Sequence, residues 1–242
     1  MEAEQNRKLN KKEETGNKDY FIKGIKDCLP TIFGYISIGI ACGVLSKSCN
    51  LTLSETLGMS TFIYAGSSQF IAAGMIASKA SVLSIVVTIF FVNLRHIFMS
   101  ASMAPYFKKN SFVKNLSLGA LLTDETFLVA ADEGYKNKNI NFWWMTGLNI
   151  AAYLNWVVAT GFGVLIGDLI PDYKAFGLDF ALTAMFIGLL ISSLENTRLK
   201  KAVLIISASI ISLLLCTTFM STNTGVIVSA VIGAGTGIII KD

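Results

Sequence analysis

Residues 81–105 read SVLSIVVTIFFVNLRHIFMSASMAP. The stretch holds no acid and exceeds the roughly 20 apolar-leaning residues that carry a helix across a bilayer. At its centre sit Asn93, Arg95 and His96, the last being the chain's one histidine. A mid-helix arginine costs roughly 2.5–3.5 kcal/mol on insertion scales, so Arg95 needs a polar neighbour inside a bundle.

Working outward, the pattern repeats. Of 242 residues 53% are hydrophobic and 15% are charged, and mean hydropathy is +0.60. A soluble domain is less apolar and carries about 25% charged residues. The first 27 positions hold seven of the 20 bases and six of the 16 acids. Eight apolar runs follow, at about 29–46, 54–77, 81–105, 115–132, 142–168, 177–195, 201–219 and 223–240. The expected fold is all-α, a polytopic membrane protein of about eight transmembrane helices, or seven with a re-entrant segment.

Residues 1–27 read as a charged cytoplasmic tail, disordered to about Tyr20 and then a short interfacial helix leading to Pro30. The tail has no apolar core or cleavage site and is no signal peptide. Residues 28–242 form the transmembrane domain. Thr52 and Glu55 make a capping-box pattern at a helix start, and Trp143 and Trp144 suit an interfacial aromatic belt. With the amino end inside, the inner segments hold 14 lysines and arginines. The outer ones hold five: Lys47, Lys108, Lys109, Lys114 and Lys174. That asymmetry favours a cytoplasmic amino end. The stretch GVLSKSCNLTLSETLGM (43–59) echoes GVLIGDLIPDYKAFGL (163–178), which is either two four-helix halves or a chance likeness of apolar glycine-rich stretches.

Several classes are excluded. Cys28, Cys42, Cys49 and Cys216 form no CxxC and have no histidine at ligand spacing, so no metal or cofactor is expected. Metalloprotease, nucleophile-elbow, Walker A and dinucleotide signatures are absent, which argues against an enzyme or an ATP-driven pump. A sequence pI near 8.8 with no basic stripe fits lysines facing anionic lipid rather than nucleic acid.

The polar groups inside the apolar runs are the candidate functional residues. Asp124 and Glu125, in LLTDETFLV, are the acids placed to neutralise Arg95; the pair is either a structural ion pair or the lining of a substrate or proton path. Asn93 and His96 share a helix face, and His96 is either a satisfied buried group or a proton carrier. Gly66, Ser67, Ser68 and Gln69, in FIYAGSSQF, are helix-breaking and capping residues placed near mid-membrane. If the second helix breaks there, the N–H groups of its second half make an anion site; otherwise these small polar residues serve close packing. Gly39 and Gly43, and the Gly225, Ser229, Gly233, Gly237 series, mark close-packing faces. Asn149 and Asn155 are further polar candidates, or else interhelical hydrogen-bonding glue.

The ordered set ISIGIACG (36–43), MSTFIYAGSSQF (59–70), VNLRHIFMSASMAP (92–105) and LLTDETF (121–127) resembles the AzlC family of branched-chain amino acid exporters. The likeness runs in motif detail from about Pro30 to Glu133. It implies the large subunit of a two-component exporter in a bacterial cell membrane. Such a subunit extrudes leucine, isoleucine, valine or similar apolar amino acids beside a small AzlD-type membrane subunit, with the proton gradient as driving force. On that reading Gly66, Ser67, Ser68, Gln69 and Asn93 bind substrate, while Arg95, His96, Asp124 and Glu125 carry charge or protons. The alternatives are a passive channel for small solutes and a non-transporting scaffold subunit.

Overall fold

Apolar runs punctuated by Ser, Thr and Asn caps give a chain that is helical almost throughout. The computed structural model describes residues 2–170, 175, 177, 180–194, 198–220 and 222–239. Among these the elements are α1 (Glu2–Ser48), α2 (Leu53–Phe62), α3 (Gly66–Ala77), α4 (Val82–Met103), α5 (Phe112–Ala120), α6 (Asp124–Asn137), α7 (Phe142–Ile166), α8 (Ala181–Leu194), α9 (Leu199–Phe219) and α10 (Thr222–Ile239). No strand occurs among the described residues. Lys174 and Lys241, which enter the charge count above, lie outside them.

Helix α1 runs from Glu2 to Ser48 and continues through Pro30 without a break. Residues 2–14 hold four Glu and three Lys, which are strong helix formers. Pro30 removes one backbone hydrogen bond and the helix absorbs the loss.

Among the described residues four helical stretches are long and apolar enough to cross a membrane unaided: 16–48, 82–107, 142–169 and 199–219. The second and fourth apolar runs are each split into two shorter helices, α2–α3 and α5–α6. Thr52 caps α2 with the expected box, its backbone N–H donating to Glu55 Oε2 at 2.8 Å.

Helices α1 and α7 form the spine, and glycine makes the seam. A Cβ on Gly43 would meet the Thr160 carbonyl oxygen and the Gly163 Cα, and one on Gly163 would meet the Ile40 carbonyl and the Gly43 Cα. Gly24 lies against Trp144, Gly39 against Ala159 and Gly167 against Lys47. Partner numbers rise together along both helices, so the two run parallel. Small residues allow such backbone approach, which is the main source of packing energy between helices in lipid. Polar side chains add to it: Asn155 Nδ2 donates to the Ile32 carbonyl at 3.2 Å, and Asn149 Nδ2 donates to Leu118 O at 3.1 Å. Both asparagines thus do the bonding expected of them.

The glycine series of α10 packs antiparallel on α9, Gly225 beside Thr217, Gly233 beside Ser209 and Gly237 beside Ile205. Helix α4 lies at the edge and exposes Val82, Leu83, Phe90 and Phe98, an apolar face suited to lipid. The four cysteines are free; Cys28 and Cys42 are buried, and Cys49 and Cys216 are partly exposed.

Candidate site at two helix breaks

The first break falls where the sequence places it. Helix α2 ends at Phe62, Tyr64 takes the left-handed conformation at φ +43°, Ala65 is extended, and α3 starts at Gly66. Ala65 has no side-chain acceptor, so no cap closes the first N–H groups of α3. Gly66 is closely packed: a Cβ there would sit 3.0 Å from Cη2 of Trp156, so the indole would have to give way.

The second break is not legible in the apolar run 115–132, which reads as one span. Helix α5 stops at Ala120 and α6 restarts at Asp124. Thr123 caps the restart: its hydroxyl accepts from Thr126 N at 3.3 Å, and its own N–H donates to Thr126 Oγ1 at 2.9 Å. Thr123 followed by two acids is a helix-start signal, and read as one it locates this break.

The two breaks meet at one cavity. Tyr64, Ala65 and Gly66 line it from the first break, and Thr123, Asp124 and Glu125 from the second. Arg95 and His96 of α4, Tyr35 of α1 and Trp156 of α7 close it. Its volume is about 10 Å³, room for one water. A larger cavity of about 370 Å³, between α4, α5 and α7, is lined mainly by apolar groups such as Met103, Phe107, Leu116 and Leu122.

Arg95 ties the breaks together. Its Nη1 lies 2.9 Å from Asp124 Oδ2 and its Nη2 donates to Ser67 Oγ at 2.7 Å. Of the two acids open as partners, the structure pairs Asp124 with Arg95. Asp124 and Glu125 stand in the first turn of α6, where the helix dipole favours negative charge. The first turn of α3 carries no acid. The cavity therefore has an electropositive side, α3 with Arg95, and an electronegative side, the two carboxylates.

Gln69, Ser67, Ser68 and Asn93 stand one layer behind this lining. Ser68 Oγ donates to Asn93 Oδ1 at 2.7 Å. Gln69 is fully buried, accepts from Trp156 Nε1 at 2.6 Å and donates to Ser60 Oγ at 2.8 Å. Ser60 in turn bonds Thr160 Oγ1 at 2.7 Å. These bonds hold the Trp156 ring at the cavity wall. Of the expected site residues, Gly66, Arg95, His96, Asp124 and Glu125 line the cavity, while the other four brace it. Tyr35, Tyr64, Thr123 and Trp156 are lining residues that motif reading misses. Trp156 had one signal: an indole far from either end of a long apolar helix needs a buried partner for its N–H.

Two discontinuous helices whose second halves begin at a shared, charged and buried cavity, in an all-helical chain with stretches long and apolar enough to cross a membrane, define the class: a polytopic helical membrane protein. A model of the AzlC protein family matches residues 30–170, and the chain belongs to that family. Among relatives, the inner membrane protein YgaZ of Escherichia coli K12 is 28% identical over 226 residues, covering 90% of each chain. An uncharacterised membrane protein of Helicobacter pylori J99 is 32% identical over 207 residues, 81% of this chain and 87% of its own. The branched-chain amino acid transport protein AzlC of Bacillus subtilis 168 is 27% identical over 188 residues, 77% of this chain and 73% of its own. No solved structure matches.

Proposed function

We propose that this chain is the transporting subunit of an exporter for leucine, isoleucine, valine and similar apolar amino acids in a bacterial cell membrane. It works with a small AzlD-type membrane partner and is driven by the proton gradient. The observation that carries this reading is the two-sided cavity at the paired helix breaks. A zwitterion has a carboxylate for the α3 N–H groups and Arg95, and an ammonium for Asp124 or Glu125. The relative in Bacillus subtilis named for branched-chain amino acid transport supports the substrate class.

At about 10 Å³ the cavity is closed to an amino acid, so binding has to part the half-helices. The Arg95–Asp124 bridge is the contact that substrate replaces. Asp124, Glu125 and His96 are the groups that take up or release the coupling proton. Tyr35, Tyr64 and Trp156 supply apolar wall for a branched side chain. Selectivity among such side chains is soft, since one methylene is worth about 1–3 kcal/mol.

Eight spans, in two halves joined near the α6–α7 connection, are the architecture we favour, with residues 1–27 on the cytoplasmic side and 28–242 as the transport domain. Parallel packing of the first and fifth spans supports three intact spans between them, and so a first half of four. So does the offset of the seam: Gly24 and Trp144, Gly39 and Ala159, Gly43 and Gly163, and Lys47 and Gly167 each stand 120 residues apart. Corresponding residues of the sequence echo therefore touch, as they do across a two-fold axis.

The test is efflux of preloaded radiolabelled leucine from vesicles, with and without the small partner, under an imposed pH gradient. Efflux that needs both chains and quickens with the gradient supports the reading. Gradient-independent leakage points to a channel, and flux that persists without this chain points to a scaffold.

A further inference from the structure

We propose that Tyr64 contacts the ligand directly, its hydroxyl meeting the polar head group of the bound α-amino acid; this deepens, and rests on, the transport reading above. Three independent features of Tyr64 converge. Its backbone is left-handed at φ +43°, a strained conformation that a bulky residue seldom adopts. Its ring is 6% exposed and packed edge-on against Tyr153 at 4.8 Å between centroids, so the side chain is fixed. Its hydroxyl is buried at the cavity beside the Tyr35 hydroxyl and makes no hydrogen bond of normal geometry among the described residues.

A buried tyrosine hydroxyl normally finds a partner, because leaving one unpaired forfeits its full desolvation energy. Tyr35, the other tyrosine of the cavity, follows the rule by bonding Thr123 Oγ1. Tyr64 breaks it, and at a strained residue directly before the uncapped start of α3. His96 Nε2, on another wall of the same cavity, is likewise buried without a partner among the described residues. Strain and unmet hydrogen bonds at one cavity are the mark of a site completed by what it binds. A phenol hydroxyl can donate to a carboxylate or accept from an ammonium, and an α-amino acid brings both.

The experiment compares the full-length chain, reconstituted with its small membrane partner in lipid nanodiscs, with Y64F and Y35F prepared in the same way, reading leucine binding and thermal unfolding on each. Y64F keeps the ring and its Tyr153 contact and deletes a hydroxyl that makes no hydrogen bond of normal geometry. It should unfold no lower than the parent chain, while leucine binding weakens about tenfold or more, equivalent to about 1.4 kcal/mol or more. Y35F deletes a bonded hydroxyl and should lower the unfolding temperature. Unchanged leucine affinity in Y64F, or a fall in its unfolding temperature like that of Y35F, overturns the role given to Tyr64 and leaves the transport reading standing. A parent chain that binds no leucine, isoleucine or valine overturns both.

Discussion

Arg95 is held from both breaks at once, by Ser67 Oγ and by Asp124. Both ends of the ion pair are largely buried, with side-chain exposures of 23% and 17%, so each charge depends on the other. Arg95→Gln or Asp124→Asn alone should destabilise the protein more than the double change does. The coupling should be about 0.5–3 kcal/mol in a double-mutant cycle read by thermal unfolding in detergent; additive losses would show that the pair carries no mutual energy. Gln69 poses the opposite case, a neutral residue whose partners are all protein. Gln69→Leu strands Trp156 Nε1, and that unpaired donor costs about 1–3 kcal/mol, while Ser60 Oγ keeps only its bond to Thr160 Oγ1. Its leucine transport should fall together with its unfolding temperature, since the wall it braces is lost with the fold. Asp124 and Glu125 were both legible as partners for Arg95. Which of them pairs was not, because that depends on the turn made at Thr123.

At the scale of the helix, glycines sort by what faces them. Gly43 and Gly163 meet backbone across the seam, so Gly43→Ala should cost about 1–3 kcal/mol or more through overpacking. Gly34, on the same helix, faces open space: a methyl added there would meet no described atom within 4 Å. Gly34→Ala should therefore stabilise by about 0.5–1 kcal/mol. Unfolding temperatures of the two variants check the contrast, which composition alone cannot draw. The breaks sort in a related way. The first was readable from Gly66-Ser67-Ser68, since glycine and serine favour a helix start. The second hid inside an apolar run, because Leu121 and Leu122 continue the hydrophobic pattern straight through the turn. Periodicity reports burial, not whether the backbone ladder is intact.

For the whole molecule, the parallel α1–α7 pair makes a topological statement that can be measured. Cys49 follows α1 and Asp168 follows α7, and Lys47 Nζ reaches Asp168 Oδ2 at 3.1 Å. A membrane-impermeant maleimide should therefore label native Cys49 and the D168C variant from the same side; labelling from opposite sides would refute the parallel arrangement. The sequence by itself determined that the chain is an all-helical membrane protein, where its polar residues lie, and its resemblance to one family. Those follow from the cost of exposing charge or unpaired backbone to lipid, a local property of each segment. Tertiary structure alone decided that the breaks at Tyr64 and Thr123 face each other and that Asp124 rather than Glu125 pairs with Arg95. It also set Gln69 behind Trp156 and left the Tyr64 hydroxyl without a hydrogen bond of normal geometry among the described residues. Each of these depends on contacts between residues far apart in the chain, and a segment's own hydropathy carries no information about what it will meet.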